Sequence, residues 1–171
     1  MSVLPVPDPA PPTPLDGDEK ALLCAQLDEK RAILLRKVGG LDESQLRSTP
    51  TASSISLLGL LKHSAYVERY WFRHVFAGER PGFPWTDDDP DADWRPEAGE
   101  TPQEIRDLYL DEVARSRAIT DAAALDDEAI TEFEDHPASL RGILLHMIQE
   151  TSRHLGHADV IRETIDGATG D

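Results

Sequence analysis

Leu23, Leu27, Leu34 and Val38 recur at helical spacing with alanine and isoleucine between them. They predict an amphipathic helix from about Asp18 to Val38. Asp18 suits the N-cap, Glu19 the first turn where the helix dipole favours acid, and Gly39-Gly40 the end. Leu57, Leu60, Leu61, Val67 and Trp71 share one broad face at about 100° per residue. They predict a second helix from near Ser53 or Ser54 to about Ala77, stopped by Gly78 and Pro81. Thr101-Pro102-Gln103-Glu104 carries a cap, a proline at the first helical position and the acid of a capping box. The third helix then runs to about Ala123, with Ile105, Leu108, Val113 and Ile119 inward. Ser139 opens a fourth that reaches about Ile165, before Gly167. No segment shows a convincing strand alternation.

These elements predict an all-α fold, a four-helix bundle of antiparallel outline. The long loop over residues 78–100 leaves room for a crossover, and the pattern does not choose between a crossover and short hairpins. That loop holds Trp85 and Trp94 among Pro81, Pro84, Pro90 and Pro96. Loops of this length are often functional, and the tryptophans must pack on something. Ahead of the bundle, Pro5, Pro7, Pro9, Pro11, Pro12 and Pro14 predict a flexible or strap-like tail. The expected organisation is therefore a Pro-rich tail over 1–17 and one bundle domain over 18–171.

A length of 171 residues suits one domain, and 39% hydrophobic with 29% charged residues is ordinary for a globular chain. The formal net charge of −16 changes the picture more. It disfavours nucleic acid and anionic lipid as partners. A lone cysteine, Cys24, permits no internal disulfide. No apolar run is long enough to span a bilayer, and the first residues lack the pattern of a signal peptide. The cytoplasm is the expected location.

The candidate chemistry sits on the fourth helix. His146, Glu150 and His154 are spaced i, i+4, i+8, and His157 follows three residues later. These four lie within an arc of roughly 80°, a face that also carries core residues. Burying such groups costs on the order of several kcal/mol unless each finds a partner. A divalent cation accepts imidazole lone pairs and neutralises the carboxylate, and ligands at i and i+4 can share one ion. On the second helix, His63 lies between Leu60 and Val67 on the core face. His63, Glu150 and His154 thus form the expected metal set, leaving positions for water or substrate. His146 and His157 are candidates for supporting partners behind the ligands, or for solvent-facing residues at the helix edge. Cys24 reads as a packed small hydrophobe, and His74 and His136 as peripheral.

The stretch from Leu145 to Glu163, with Leu60-Leu61-Lys62-His63, Val67-Glu68-Arg69-Tyr70-Trp71, Asp93-Trp94-Arg95-Pro96 and Gly99-Glu100-Thr101-Pro102, resembles the DinB/YfiT-like superfamily. The likeness is nearest its actinobacterial, mycothiol-dependent branch. The resemblance implies a four-helix bundle with one metal, held by a histidine of the second helix and two groups four apart on the last. Carried over, these are again His63, Glu150 and His154. It implies zinc as the usual metal and nickel as an occasional one; iron is a further candidate for the donor set. It also implies a low-molecular-weight thiol such as mycothiol as co-substrate.

The expected function is a metal-dependent thiol S-transferase, in detoxification or thiol metabolism, joining the thiol to an electrophilic small molecule. The isomerase of that branch takes a catalytic arginine from a further domain, for which nothing here corresponds, so simple transfer is preferred. Arg153 and Arg69 are candidates for binding an anionic thiol or substrate, and a homodimer is compatible with the charge. Two other readings stay open. One is a non-enzymatic, metal-stabilised bundle, with His146 or His157 as a fourth ligand, that binds a small ligand or a partner. The other is a metal-dependent hydrolase with Glu68 or His157 as base.

Overall fold

The computed structural model describes residues 3–9, 12–133 and 135–170. Residues 1, 2, 10 and 11 of the proline-rich tail lie outside them. Five α-helices follow in order: α1 (Glu19–Val38), α2 (Glu43–Arg47), α3 (Leu57–Glu68), α4 (Pro102–Ala122) and α5 (Leu140–Asp166). The fold is all-α, and isolated bridges replace strands among the described residues. The four long rods enclose leucine-rich packing at one end and an aromatic cluster around Trp71, Phe72 and Phe76 at the other.

Caps fixed by short side chains set most boundaries. Asp18, Ser56, Thr101 and Ser139 each accept a backbone N–H from the first turn of their helix. The second long helix starts later than the serine cluster suggests, because Ser56 rather than Ser53 or Ser54 takes the cap, accepting from Gly59 N at 3.0 Å. α2 was not anticipated, although Asp42 and Gln45 form a reciprocal capping box around it.

α3 does not simply run on to Ala77. From Arg69 to Phe76 it widens into a π-helix. The amide of Ala77 donates to Phe72 O, five residues back, at 3.0 Å. Such widened turns are uncommon and occur mostly at functional sites.

Ion pairs define the direction of each rod. Glu19 meets Arg141 and Lys37 meets Asp159, so α1 and α5 run parallel. Lys62 meets Glu100, and Arg69 meets Glu112, so α3 and α4 also run parallel. Asp28 meets Arg117, and Lys20 reaches Ala123 O, so α1 and α4 oppose each other. The order is up, down, down, up. The antiparallel outline is therefore corrected: a crossover between α3 and α4 returns along the bundle, and residues 77–101 supply it. The physical reason is distance, since two parallel neighbours cannot be joined by a tight hairpin.

The tail lies against the bundle as a strap. Leu4 is buried with the core leucines, and its carbonyl accepts from Gly40 N at 2.9 Å. The chain crosses so close to Gly39 that a Cβ there would lie 2.9 Å from Val6 Cα.

Candidate metal centre

Helical spacing places Glu150 and His154 on one side of α5, one turn apart. Because α3 runs antiparallel to α5, His63 faces His154 and Trp71 faces His146. The ring centroids of the first pair are 5.0 Å apart, and those of the second 4.4 Å. One ligand atom from each of His63, Glu150 and His154 lies within 4.8 Å of the others. No other group of three or more histidine, cysteine or acidic residues among the described ones comes together in this way.

The donor chemistry fits a divalent cation. His63 Nε2 and His154 Nδ1 are buried, and neither has a hydrogen-bond partner among the described residues. Buried polar atoms are almost always partnered, so two orphan imidazole nitrogens beside a carboxylate mark a place for an absent acceptor of lone pairs. His154 Nε2 lies 2.8 Å from Glu150 Oε1, an N–H donating to the carboxylate, which leaves Nδ1 as the ring's bare nitrogen.

Electrostatics point the same way. Burial, and then the facing His63 ring, push the His154 imidazole below its ordinary value, while Glu150 pulls in the opposite direction. Burial acts to raise the Glu150 carboxyl, yet the charge and hydrogen bond of His154 outweigh it, and the net shift is downward. His146, half-buried against Trp71, is also pushed below its ordinary value, by burial first. Neutral imidazole beside ionised carboxylate is the protonation state that metal binding needs.

A pH titration of the metal-free protein checks this. The imidazole resonances of His146 and His154 are expected to titrate with midpoints below 6.5. With folded values depressed, the unfolded chain takes up protons first. The stability these rings leave intact above pH 6.5 is then lost as pH falls through the folded values. Midpoints at or above 6.5 would contradict the burial seen here.

The remaining candidates lie around this core. His157 is solvent-exposed, with its ring centroid 6.0 Å from that of His154. Arg153 is 60% exposed and stands 3.6 Å from Glu150. Arg69 binds Glu112 Oε1 at 2.8 Å and the carbonyl of Gly82. Arg73 shares Glu112, so this guanidinium pair holds the crossover and α4 to the π-helix. Glu68 is buried and clamped by Arg31 at 2.6 and 2.7 Å, which removes it as a base for a hydrolase. Burial raises the Cys24 thiol above its ordinary value, which suits packing and not nucleophilic attack. His74 bonds the carbonyl of Glu79, and His136 is exposed in the connector before α5.

Sequence spacing did not identify Asp93 or Trp94 as site residues. The crossover brings both onto α3: the Asp93 carboxylate is 2.7 Å from His63 Nδ1, and the indole of Trp94 stacks on the His63 ring at 3.7 Å. The expectation that the tryptophans of the long loop pack on something was the available signal, but their target was not legible.

None of the helices is long and apolar enough to cross a membrane, among the described residues. The crystal structure of a conserved protein from Enterococcus faecalis shares the fold, with a TM-score of 0.64 at 17% identity. The match covers 90% of this chain and 100% of that one. No curated protein matches the sequence. The family model of the mycothiol-S-transferases, however, matches residues 22–167. A match over that span, on an all-α bundle that gathers a histidine–glutamate–histidine cluster, places the chain in the mycothiol-S-transferase family, within the DinB/YfiT-like superfamily.

Proposed function

We propose that this protein is a metal-dependent S-transferase that joins a low-molecular-weight thiol, mycothiol first among them, to an electrophilic small molecule. The observation that carries the reading is the convergence of His63, Glu150 and His154 around two buried, unpartnered imidazole nitrogens. His63, Glu150 and His154 would hold the cation, with zinc as the first choice for two imidazoles and a carboxylate. When bound, such an ion lowers the pKa of a thiol, so that thiolate is available at neutral pH.

The chain's own residues do the rest. Glu150 and His154 present their donors from adjacent turns of a rigid helix, and His63 closes the set from the facing rod. Trp94 stacks on the His63 ring and holds its plane. Arg153, exposed beside Glu150, offers a guanidinium to an anionic group on the thiol or its partner. No residue of the chain need become the nucleophile, which agrees with a Cys24 thiol raised by burial and remote in sequence from the cluster. A role in detoxification follows from conjugating electrophiles.

The test is a thiol panel. Zinc-loaded protein is mixed with monochlorobimane and, separately, mycothiol, bacillithiol, glutathione or cysteine, and adduct fluorescence is followed. A rate well above background with mycothiol, and lower rates with the others, is expected. Background rates with every thiol would refute the transferase reading. Hydrolysis of an ester without any thiol would favour a hydrolase instead.

A further inference from the structure

We infer that Asp93 is a positioning residue for His63, and that Gly59 is what allows the crossover to deliver it. This rests on the reading of His63 as a metal ligand.

The short helical turn Ala92–Trp94 is seated on one face of α3. Asp93 Oδ2 lies 2.7 Å from His63 Nδ1, and Asp93 is only 4% exposed. The Trp94 indole is stacked on the same imidazole with an interplanar angle of 16°. Lys62, itself buried, donates from Nζ to Arg95 O at 2.9 Å and to Glu100 Oε2 at 2.8 Å. At Gly59 a Cβ would lie 2.2 Å from the carbonyl oxygen of Trp94. That atom belongs to the backbone, so any side chain at Gly59 must push the turn off the helix.

The consequence for His63 is chemical. A buried carboxylate accepts hydrogen bonds and donates none, so the imidazole must carry its proton on Nδ1. A neutral ring has one such proton, which leaves Nε2 with a bare lone pair. That is the nitrogen found buried and without a partner. The stacked indole then fixes the plane of the ring. Tautomer and orientation are thus both set by a segment thirty positions along the chain, as carboxylates behind ligating histidines commonly do.

The experiment uses the full chain. In metal-free protein, long-range ¹H–¹⁵N spectra should show His63 as the Nδ1–H tautomer. Asp93→Ala should convert it largely to Nε2–H. Asp93→Asn, which can still accept through its amide oxygen, should keep the wild-type tautomer and restore most of the metal affinity. Zinc affinity by chelator competition should fall about 10–100-fold in Asp93→Ala. Gly59→Ala should reproduce that tautomer shift and loss although it touches no ligand. Circular dichroism and urea midpoints identify any variant that fails to fold, and Asp93→Asn then carries the comparison.

An Nε2–H tautomer in the wild type, or wild-type affinity in Asp93→Ala, overturns the inference. So does a wild type that binds no zinc. If zinc binding depends on His63 and Asp93 while no thiol is transferred, the proposed reaction fails and the positioning role stands.

Discussion

Replacing His63 with alanine is expected to abolish stoichiometric metal binding and thiol transfer together, with the helical content unchanged. The candidate ligand atoms converge from two rods, one on α3 and two on α5. Removing the single donor from α3 leaves a two-donor site on one helix, open to water. The loss should exceed the roughly 10–100-fold typical of disturbing a residue behind a ligand. Elemental analysis of purified protein and chelator competition measure the first effect, and the bimane assay measures the second. Arg153→Ala is the contrasting case. Arg153 is mostly exposed at the rim, so that variant should retain metal and change the dependence on thiol concentration. A His63→Ala protein that keeps one tightly bound ion per chain would remove the basis of the proposed function.

The second large effect concerns stability. Glu68→Ala should destabilise the fold by about 3–5 kcal/mol, because it leaves the Arg31 guanidinium buried with its main partner gone. Arg31 Nε and Nη2 donate to the two oxygens of Glu68 at 2.7 and 2.6 Å, and both side chains are almost fully buried. Attraction to Glu68 more than offsets the burial of Arg31 and raises its pKa. Asp28 also accepts from Arg31, at 2.8 Å, and keeps part of the charge paired. The double variant Arg31→Met/Glu68→Leu should recover most of the loss, since hydrophobic residues of similar volume replace the desolvated pair. Urea unfolding of the wild type, the two singles and the double gives the coupling directly. Additive losses would show that the pair is not acting as a unit. The pair ties α1 to α3 where α3 passes into the π-helix.

Much of the candidate site was legible in the sequence. His154 follows Glu150 by four residues, and their common face is a matter of 100° per residue. His63 lies between apolar neighbours three and four residues away, which marks it as inward. The partner of His63 was not legible. Asp93 sits in a loop full of acids and prolines; Asp93-Trp94-Arg95-Pro96 carried part of the family resemblance, but no spacing ties Asp93 rather than Asp87, Asp88 or Asp91 to His63. Only the Gly59 contact and the Lys62 bonds to Arg95 and Glu100 select it. Glu68 shows the opposite error. It was one of two bases named for the hydrolase reading, whereas helical rotation turns it toward Arg31 on α1.

Local sequence was enough for the rods: their apolar faces, all but one of their caps, and the paired donors on α5. Each of these depends on residues within a turn or two, where backbone geometry leaves little choice. Tertiary structure alone decided that α3 and α4 run parallel, that α3 widens into a π-helix, and that a returning crossover lays Asp93 and Trp94 against His63. Those features depend on contacts between distant segments, and hydrophobic periodicity is the same whether a helix points up or down.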